Sequence, residues 1–232
     1  MSLLLLIETA TTSCSVALAS TGNIIALREL NQRNVHAEVI TVYIEALFKE
    51  TGKKYDELDA VVVSSGPGSY TGLRIGVSTA KGLCFSLDKP LIAVETLTAM
   101  AHGLIERRDI VIDENTLLCP MIDARRMEVY TALFDHTGKQ VRPTAAEIID
   151  EHSFSDMLNT QKIVFFGDGA DKCKDTLSHQ RNAVFVPQFA NSAKDMLIPA
   201  LAKLSAQLFE DVAYFEPYYL KDFIAGVKKP AQ

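Results

Sequence analysis

The chain has 232 residues, 48% of them hydrophobic, which is enough to bury one large core or the cores of two smaller lobes. Its formal net charge of −6 argues against a surface that holds a nucleic-acid backbone by itself, because such binding depends on clustered lysine and arginine. The apolar run Leu3–Ile7 has no basic flank and is much shorter than a membrane span, so it predicts a buried strand and no membrane association.

Apolar stretches and turn residues divide the first half of the chain into a regular order of elements. Strands are predicted over Leu3–Glu8, Cys14–Ala19 and Ile24–Leu30, joined by short turns into a three-stranded meander. A helix from His36 to Lys49 follows. A strand over Ala60–Ser65 then runs into a glycine-rich turn and a second helix.

The second half repeats this order, which predicts a duplicated α/β fold with two lobes. Its predicted strands are Leu118–Asp123, Glu128–Phe134, Gln140–Pro143 and Ile163–Phe166. Each lobe is expected to hold a three-stranded meander in a mixed sheet flanked by helices. We place the lobes at residues 1–108 and 109–232, with a charged crossing near residues 107–114. A final helical stretch, Ala193–Phe209, is expected to pack back on the first lobe.

The turn after the first strand combines a carboxylate with several hydroxyl side chains. Glu8 ends the strand, and Thr9, Thr11, Thr12 and Ser13 follow it. Hydroxyl groups in such a turn can meet phosphate oxygens, while the carboxylate holds a hydrated cation. Threonine and serine are also common in turns because they bond to the local backbone, so a purely structural role stays open.

The segment Gly66–Gly72 follows a buried strand and opens a helix, an arrangement in which backbone amides can face an anion. It is not a Walker-type loop, because no lysine follows the second glycine, and its glycine spacing differs from that of a dinucleotide fingerprint. The alternative is structural: Gly72, Gly76 and Ala80 share one helical face, where small residues let another element approach. The candidate nucleotide-binding residues of the two turns are Glu8, Thr9, Thr11, Thr12, Gly66, Gly68, Ser69 and Thr71.

The helix His36–Lys49 is apolar over about two-thirds of its circumference, more than a helix with one buried face requires. Its polar residues Glu38, Thr41, Glu45 and Lys49 form one narrow stripe. Such a helix needs two neighbours. They can both belong to this chain, or one can belong to another subunit, and the sequence alone leaves both interpretations open.

Motifs for metal binding or nucleophilic catalysis are missing from the sequence. His36 begins the first helix, but Ile40 stands where a second imidazole would lie one turn later. We therefore predict neither catalytic nor metal-binding residues. The four cysteines are far apart among small or apolar neighbours, which favours core residues with free thiols in a cytoplasmic protein.

Several stretches of the sequence are similar to the TsaB (YeaZ) family. The strongest similarity lies in Leu5–Leu18, His36–Phe48 and Ser65–Leu83, of which the last is the most specific. Weaker similarity covers Pro120–Phe134 and Glu216–Leu220. The chain departs from the family pattern at Glu8, Ala10 and Lys221, where aspartate, serine and arginine are commoner.

The resemblance implies two actin-like lobes (the ASKHA, ribonuclease H-like fold) and membership of the Kae1/TsaD superfamily. It also implies a non-catalytic subunit that activates a TsaD-like catalytic subunit, together with a TsaE-like ATPase. That complex makes N6-threonylcarbamoyladenosine beside the tRNA anticodon. The catalytic sister carries an H-x-x-x-H metal motif, of which this chain keeps only His36. The chain is expected to need no cofactor, to meet ATP or ADP only at a subunit interface, and to meet tRNA only through the complex.

In this family, pairing through the two first helices joins TsaB-like chains to each other as homodimers or to the TsaD-like subunit. The interface residues expected here are His36, Val39, Ile40, Tyr43, Ile44, Leu47, Arg74, Ile75, Val77, Ser78, Thr79 and Lys81. A charge at Ile40 or Tyr43 is then expected to weaken association by several kcal/mol.

Other classes of protein remain as alternatives. An actin-fold ATPase or kinase acting on its own would use the two turns to hold phosphates, but no base or phosphate-steering lysine is identifiable. A peptidase has no supporting sequence feature. A dehydrogenase-type fold is a rival because Glu95 ends a strand after the glycine-rich helix, yet the opening meander does not suit it.

Overall fold

The computed structural model describes residues 2–107 and 110–221, so the predicted lobe boundary between residues 108 and 109 lies outside the described residues. The first sheet has the order β3-β2-β1-β4-β5. In it, β1 pairs antiparallel with β2 and parallel with β4. Its strands are β1 (Leu3–Glu8), β2 (Ser13–Ser20), β3 (Asn23–Asn31), β4 (Ala60–Ser64) and β5 (Leu91–Val94).

The second sheet repeats this topology. Its order is β8-β7-β6-β9-β10, and its first strand again pairs antiparallel with the next strand and parallel with a later one. Its strands are β6 (Thr116–Asp123), β7 (Glu128–Phe134), β8 (Gln140–Ile148), β9 (Lys162–Phe166) and β10 (Ala183–Val186). The predicted fold class, two mixed sheets that each open with a meander, is confirmed.

Helices cover both faces of the sheets. They are α1 (His36–Thr51), α2 (Tyr70–Leu87), α3 (Thr96–Glu106), α4 (Ser155–Leu158), α5 (Asp168–Leu177) and α6 (Leu197–Ser205), with short 3₁₀ turns at Tyr55–Glu57 and Ala193–Met196. The side chains of α1 and α2 pack on one face of the first sheet, and those of α4 and α5 pack on one face of the second. The described part of the chain contains no helix long and apolar enough to span a membrane.

Each half of the chain contributes a helix that packs on the sheet of the other half. Leu97, Met100 and Leu104 of α3, from the first half, pack with strands of the second sheet. Conversely, Met196 and Ala200, from the second half, pack on the first sheet. Each sheet therefore completes its core with a helix from the other half of the chain.

Local sequence signals explain where α2 begins and where α1 ends. Ser69 caps α2 by accepting a hydrogen bond from the Gly72 amide at 3.3 Å. Gly52 ends α1 with a φ of 66°, a left-handed conformation that glycine adopts without steric cost.

Two predicted boundaries were wrong. β8 continues past Pro143 to Ile148, and the final helix ends at Ser205 instead of Phe209. β8 is the outermost strand of its sheet, a position where a proline without an N–H group is tolerated. The four cysteines are buried free thiols, as predicted.

Candidate functional site

The turn between β1 and β2 lies directly against the N-terminal half of α2. The Ser69 amide donates to the Ala10 carbonyl oxygen at 2.6 Å. A Cβ atom on Gly68 would collide with Ala10, and one on Gly72 or Gly76 would collide with Thr9. The small-residue stripe therefore serves close packing, and the element that approaches it is this turn.

The carboxylate of Glu8 is buried inside the first lobe, with 0% of the residue exposed. Oε1 accepts hydrogen bonds from the Ala10 amide at 2.6 Å and from Ser64 Oγ at 3.0 Å. Oε2 has no partner among the described residues. Burial raises the pKa of Glu8 from 4.5 to about 7, against the opposing effect of these hydrogen bonds. In the folded chain, Glu8 therefore stays mostly protonated at pH values below about 7.

A segment from the far end of the chain closes the space beside Glu8. Ser13 Oγ donates to the Asn191 carbonyl oxygen at 2.7 Å, and the Ala193 amide donates to Ser15 Oγ at 2.9 Å. Asp195, in the same segment, has its pKa raised to about 7, chiefly by burial, and its charge acts on Glu8. Access to the Glu8 carboxylate is thus blocked by the chain itself.

The predicted nucleotide-binding residues do not form one open site. Glu8 and Thr9 are fully buried, and Gly66 lies under the C-terminal segment, where an added Cβ would be 2.7 Å from the Tyr218 carbonyl oxygen. The chain's own packing thus covers Glu8 and Thr9, and the C-terminal segment covers Gly66, so nucleotide binding at these three residues stays a prediction.

The remaining nucleotide-binding candidates mostly serve local structure. Thr11 Oγ1 accepts from the Ser13 amide at 3.3 Å, and Thr12 Oγ1 donates to Asn31 Oδ1 at 2.6 Å. Ser69 caps α2, and Gly68 packs on Ala10. Thr71 is exposed on the first turn of α2.

The imidazole of His36 is buried and lies within hydrogen-bond distance of the turn between β1 and β2. Nε2 lies 3.0 Å from the carbonyl oxygen of Thr11 and 3.3 Å from that of Ser13. Ile40, one helical turn later, is 2% exposed and belongs to the core. His36 therefore supports the turn of its own chain, and its part in an interface stays a prediction.

Four other predicted interface residues also belong to the core of the first lobe. They are Ile40, Ile44, Leu47 and Val77. Their side chains pack in the core on the first sheet, and their part in an interface stays a prediction. The wide apolar arc of α1 is thus explained largely by packing within the chain.

The other predicted interface residues keep some exposure. Arg74 and Ser78 are exposed, while Val39, Tyr43, Ile75, Thr79 and Lys81 are half-buried. Lys81 Nζ donates to the carbonyl oxygens of Ala213 and Phe215, and Arg74 Nε donates to the Tyr219 hydroxyl at 3.3 Å. These two cations therefore also fasten the C-terminal segment to α2.

The two most exposed large apolar side chains on these helices are not among the predicted interface residues. Val42 of α1 is 58% exposed, and Phe85 of α2 is 85% exposed. Since α1 and α2 contact each other on the same side of the first sheet, their outward residues form one surface. We define this two-helix face as Val39, Val42, Tyr43, Ile75, Ser78, Thr79 and Phe85.

The corresponding turn of the second lobe is open and charged. Asp123, at the end of β6, is exposed and forms an ion pair with Lys172. Its backbone amide donates to Asp168 Oδ1 at 3.0 Å. The two acidic strand ends therefore differ, because only Glu8 is buried.

Comparison with known proteins places the chain among tRNA-modification proteins. The family model described as TsaD, tRNA N6-adenosine threonylcarbamoyltransferase, matches residues 23–229. The tRNA threonylcarbamoyladenosine biosynthesis protein TsaB of Escherichia coli is 30% identical, with 99% of each chain covered. The TsaB of Haemophilus influenzae is 39% identical over 127 residues, covering 55% of this chain and 51% of that protein.

A solved structure agrees with this assignment. YeaZ from Pseudomonas aeruginosa superposes with a TM-score of 0.80 at 24% identity, covering 95% of this chain and 100% of that one. At that identity the superposition establishes the fold, and the full-length match to the E. coli protein establishes the family. The chain belongs to the TsaB (YeaZ) family of tRNA threonylcarbamoyladenosine biosynthesis proteins, within the Kae1/TsaD superfamily.

Proposed function

We propose that this protein is a non-catalytic subunit that binds and activates a TsaD-like catalytic subunit in forming N6-threonylcarbamoyladenosine in tRNA. The observation that carries the proposal is the two-helix face. Phe85 presents 85% of its surface to solvent, and Val42 presents 58%, on helices whose inner sides already fill the core. Apolar side chains grouped in this way are typical of a surface that another protein covers.

The contacts of His36 and Glu8, the two side chains best suited to catalysis, support a non-catalytic role. The His36 imidazole is held by the carbonyl oxygens of Thr11 and Ser13, and the next position on its helix face is the buried Ile40. The Glu8 carboxylate is sealed beneath the segment that contains Asn191 and Ala193. The burial of His36 and Glu8 also argues against the alternative of an actin-fold ATPase that acts on its own.

In this proposal, the two-helix face meets the TsaD-like subunit in the cytoplasm, and two copies of this chain pair through it when that subunit is missing. A TsaE-like ATPase joins the complex, and ATP or ADP binds at an interface between subunits. The net charge of −6 fits a role in which tRNA is held mainly by the other subunits.

Charge substitutions on the exposed face test the proposal. Val42→Asp and Phe85→Asp should each weaken association with the TsaD-like subunit by at least about 2 kcal/mol, measured by calorimetry or by co-purification. Val141→Asp is the matched control, since Val141 is 53% exposed but lies on β8 of the other sheet. Undiminished association of both folded helix variants would refute the assignment of this face.

A further inference from the structure

The C-terminal segment that reaches the glycine-rich turn is firmly anchored up to Phe215. The Phe215 side chain packs against the core of the first lobe. Lys81 Nζ donates to the carbonyl oxygens of Ala213 and Phe215, at 3.2 and 2.9 Å. The Glu210 amide also donates to the Leu91 carbonyl oxygen at 2.9 Å. This part of the segment is therefore fixed to α2 and β5.

Residues 216–221, which we call the strap, follow this anchor and are held by fewer contacts. None of them is buried, and none belongs to a helix or a strand. Among the described residues, the strap makes one hydrogen bond between backbone groups, from the Tyr218 amide to the Ser65 carbonyl oxygen at 2.7 Å. A segment with so few buried contacts and backbone hydrogen bonds opens at a lower free energy than the strands beside it.

Side-chain contacts of Tyr219 and Lys221 complete the docking of the strap. The Tyr219 ring lies 4.9 Å from the Tyr70 ring, and its hydroxyl accepts a hydrogen bond from Arg74 Nε at 3.3 Å. Lys221 forms an ion pair with Glu128 of β7, in the second sheet. Both partners of that ion pair are partly exposed, so it adds little stability. Tyr219 is therefore the main side-chain anchor of the strap.

The strap covers the turn that leads into α2. A Cβ atom added to Gly66 would lie only 2.7 Å from the Tyr218 carbonyl oxygen, so the strap backbone comes as close to this turn as a glycine allows. Ser65, beside it, is only 7% exposed. From this turn the strap crosses to Glu128 of the other lobe. One weakly held segment thus closes the glycine-rich turn and also joins the two lobes.

We propose that the strap is a releasable cover, which exchanges between a docked and an open position while the rest of the protein stays folded. Opening breaks the hydrogen bond between Tyr218 and Ser65 and separates Tyr219 from Tyr70, and the chain pivots after Phe215. It uncovers the glycine-rich turn and breaks the ion pair between the lobes. The docked strap therefore restricts access to this turn. This device is independent of the function proposed above, because it depends only on contacts within one chain.

Amide hydrogen exchange of the full chain, followed residue by residue by NMR, tests this proposal. In the wild type, the Tyr218 amide should exchange at least about 100-fold faster than the amides of β4, because opening the strap leaves the sheet intact. Tyr219→Ala should accelerate exchange at Tyr218 by at least about tenfold and leave the β4 amides unchanged. The matched control is Tyr214→Ala, since Tyr214 is 84% exposed and precedes the anchored Phe215. It should leave exchange at Tyr218 unchanged.

Thiol labelling measures whether opening uncovers the turn. In a Ser65→Cys variant, the introduced thiol should react with a small thiol reagent at least about tenfold faster when Tyr219→Ala is also present. Adding Tyr214→Ala instead should not change the rate. The four native cysteines are buried and should stay unreactive in each folded variant.

Two results would overturn the proposal. One is a Tyr218 amide that is as protected as the amides of β4, because the strap would then open only when the protein unfolds. The other is exchange or labelling that responds equally to Tyr219→Ala and Tyr214→Ala, or to neither. If thermal unfolding shows that Tyr219→Ala does not fold, Tyr219→Phe replaces it, and loss of the hydrogen bond from Arg74 should still accelerate exchange at Tyr218.

Discussion

Replacing the buried Glu8 with glutamine should change how the stability of the protein depends on pH. Burial raises the pKa of Glu8 from 4.5 to about 7 in the folded chain, whereas the unfolded chain keeps the ordinary value. Between these two pH values the unfolded state loses the proton while the folded state retains it. The free energy of unfolding therefore falls as pH rises through this window and levels off above about pH 7.

The size of the effect follows from the two pKa values. A rise from 4.5 to about 7 corresponds to about 3 kcal/mol of stability lost across the window, at about 1.4 kcal/mol per pH unit. The residue is fully buried, so solvent screening does not reduce this free energy. Glutamine has nearly the same shape and does not ionise, so the variant should lose less stability than the wild type as pH rises.

Urea unfolding at pH 5, 6, 7 and 8, at constant ionic strength, measures this difference. The stability of Glu8→Gln relative to the wild type should increase with pH by about 3 kcal/mol, and Glu38→Gln, on the exposed side of α1, should show no such trend. Asp195, whose pKa is also raised to about 7, should give a similar trend in Asp195→Asn. A stability difference that is independent of pH, or that decreases as pH rises, would refute the reasoning.

Three further predictions concern packing. Gly72→Ala should destabilise the protein by about 1–3 kcal/mol, because the added Cβ meets the Thr9 carbonyl oxygen. Gly82→Ala, whose Cβ has nothing within 4 Å, should be neutral or stabilising by up to about 1 kcal/mol. Equal effects of the two substitutions in thermal unfolding would contradict this prediction. Ile40→Asp should unfold the chain, because it places a charge in the core. Val42→Asp, two residues away at an exposed position, should leave the circular dichroism and melting temperature of the protein nearly unchanged. A folded Ile40→Asp variant would argue against the burial of Ile40. The Cys119 thiol, whose pKa burial raises to about 12, should react with a thiol reagent only after unfolding, and rapid labelling of the folded protein would count against its burial.

The order of the elements was readable from the sequence because it depends on local patterns. Hairpin turns, alternating apolar stretches and glycine-rich turns recur in both halves, and the two sheets share one topology. The similarity between the halves is therefore visible without any knowledge of contacts. Strand length was harder to predict, since Pro143 reads as the end of β8 unless the strand is known to lie at the sheet edge.

The environment of Glu8 could not be predicted, because it depends on residues far away in the sequence. The turn after β1 has hydroxyl side chains that suit phosphate, but Asn191 and Ala193 cover the site from the other end of the chain. The same limit applied to α1. Its apolar arc was visible, yet only the packing shows that Ile40 and Ile44 face the sheet and Val42 faces outward.

We propose that this chain enables tRNA modification without performing the reaction. The most direct measurement is the yield of N6-threonylcarbamoyladenosine in tRNA incubated with purified TsaD-like subunit, TsaE-like ATPase and this chain, with each protein omitted in turn. We expect no product from this chain alone and a large loss of product when it is omitted. Product formed by this chain unaided, or an unchanged yield without it, would contradict the proposed role.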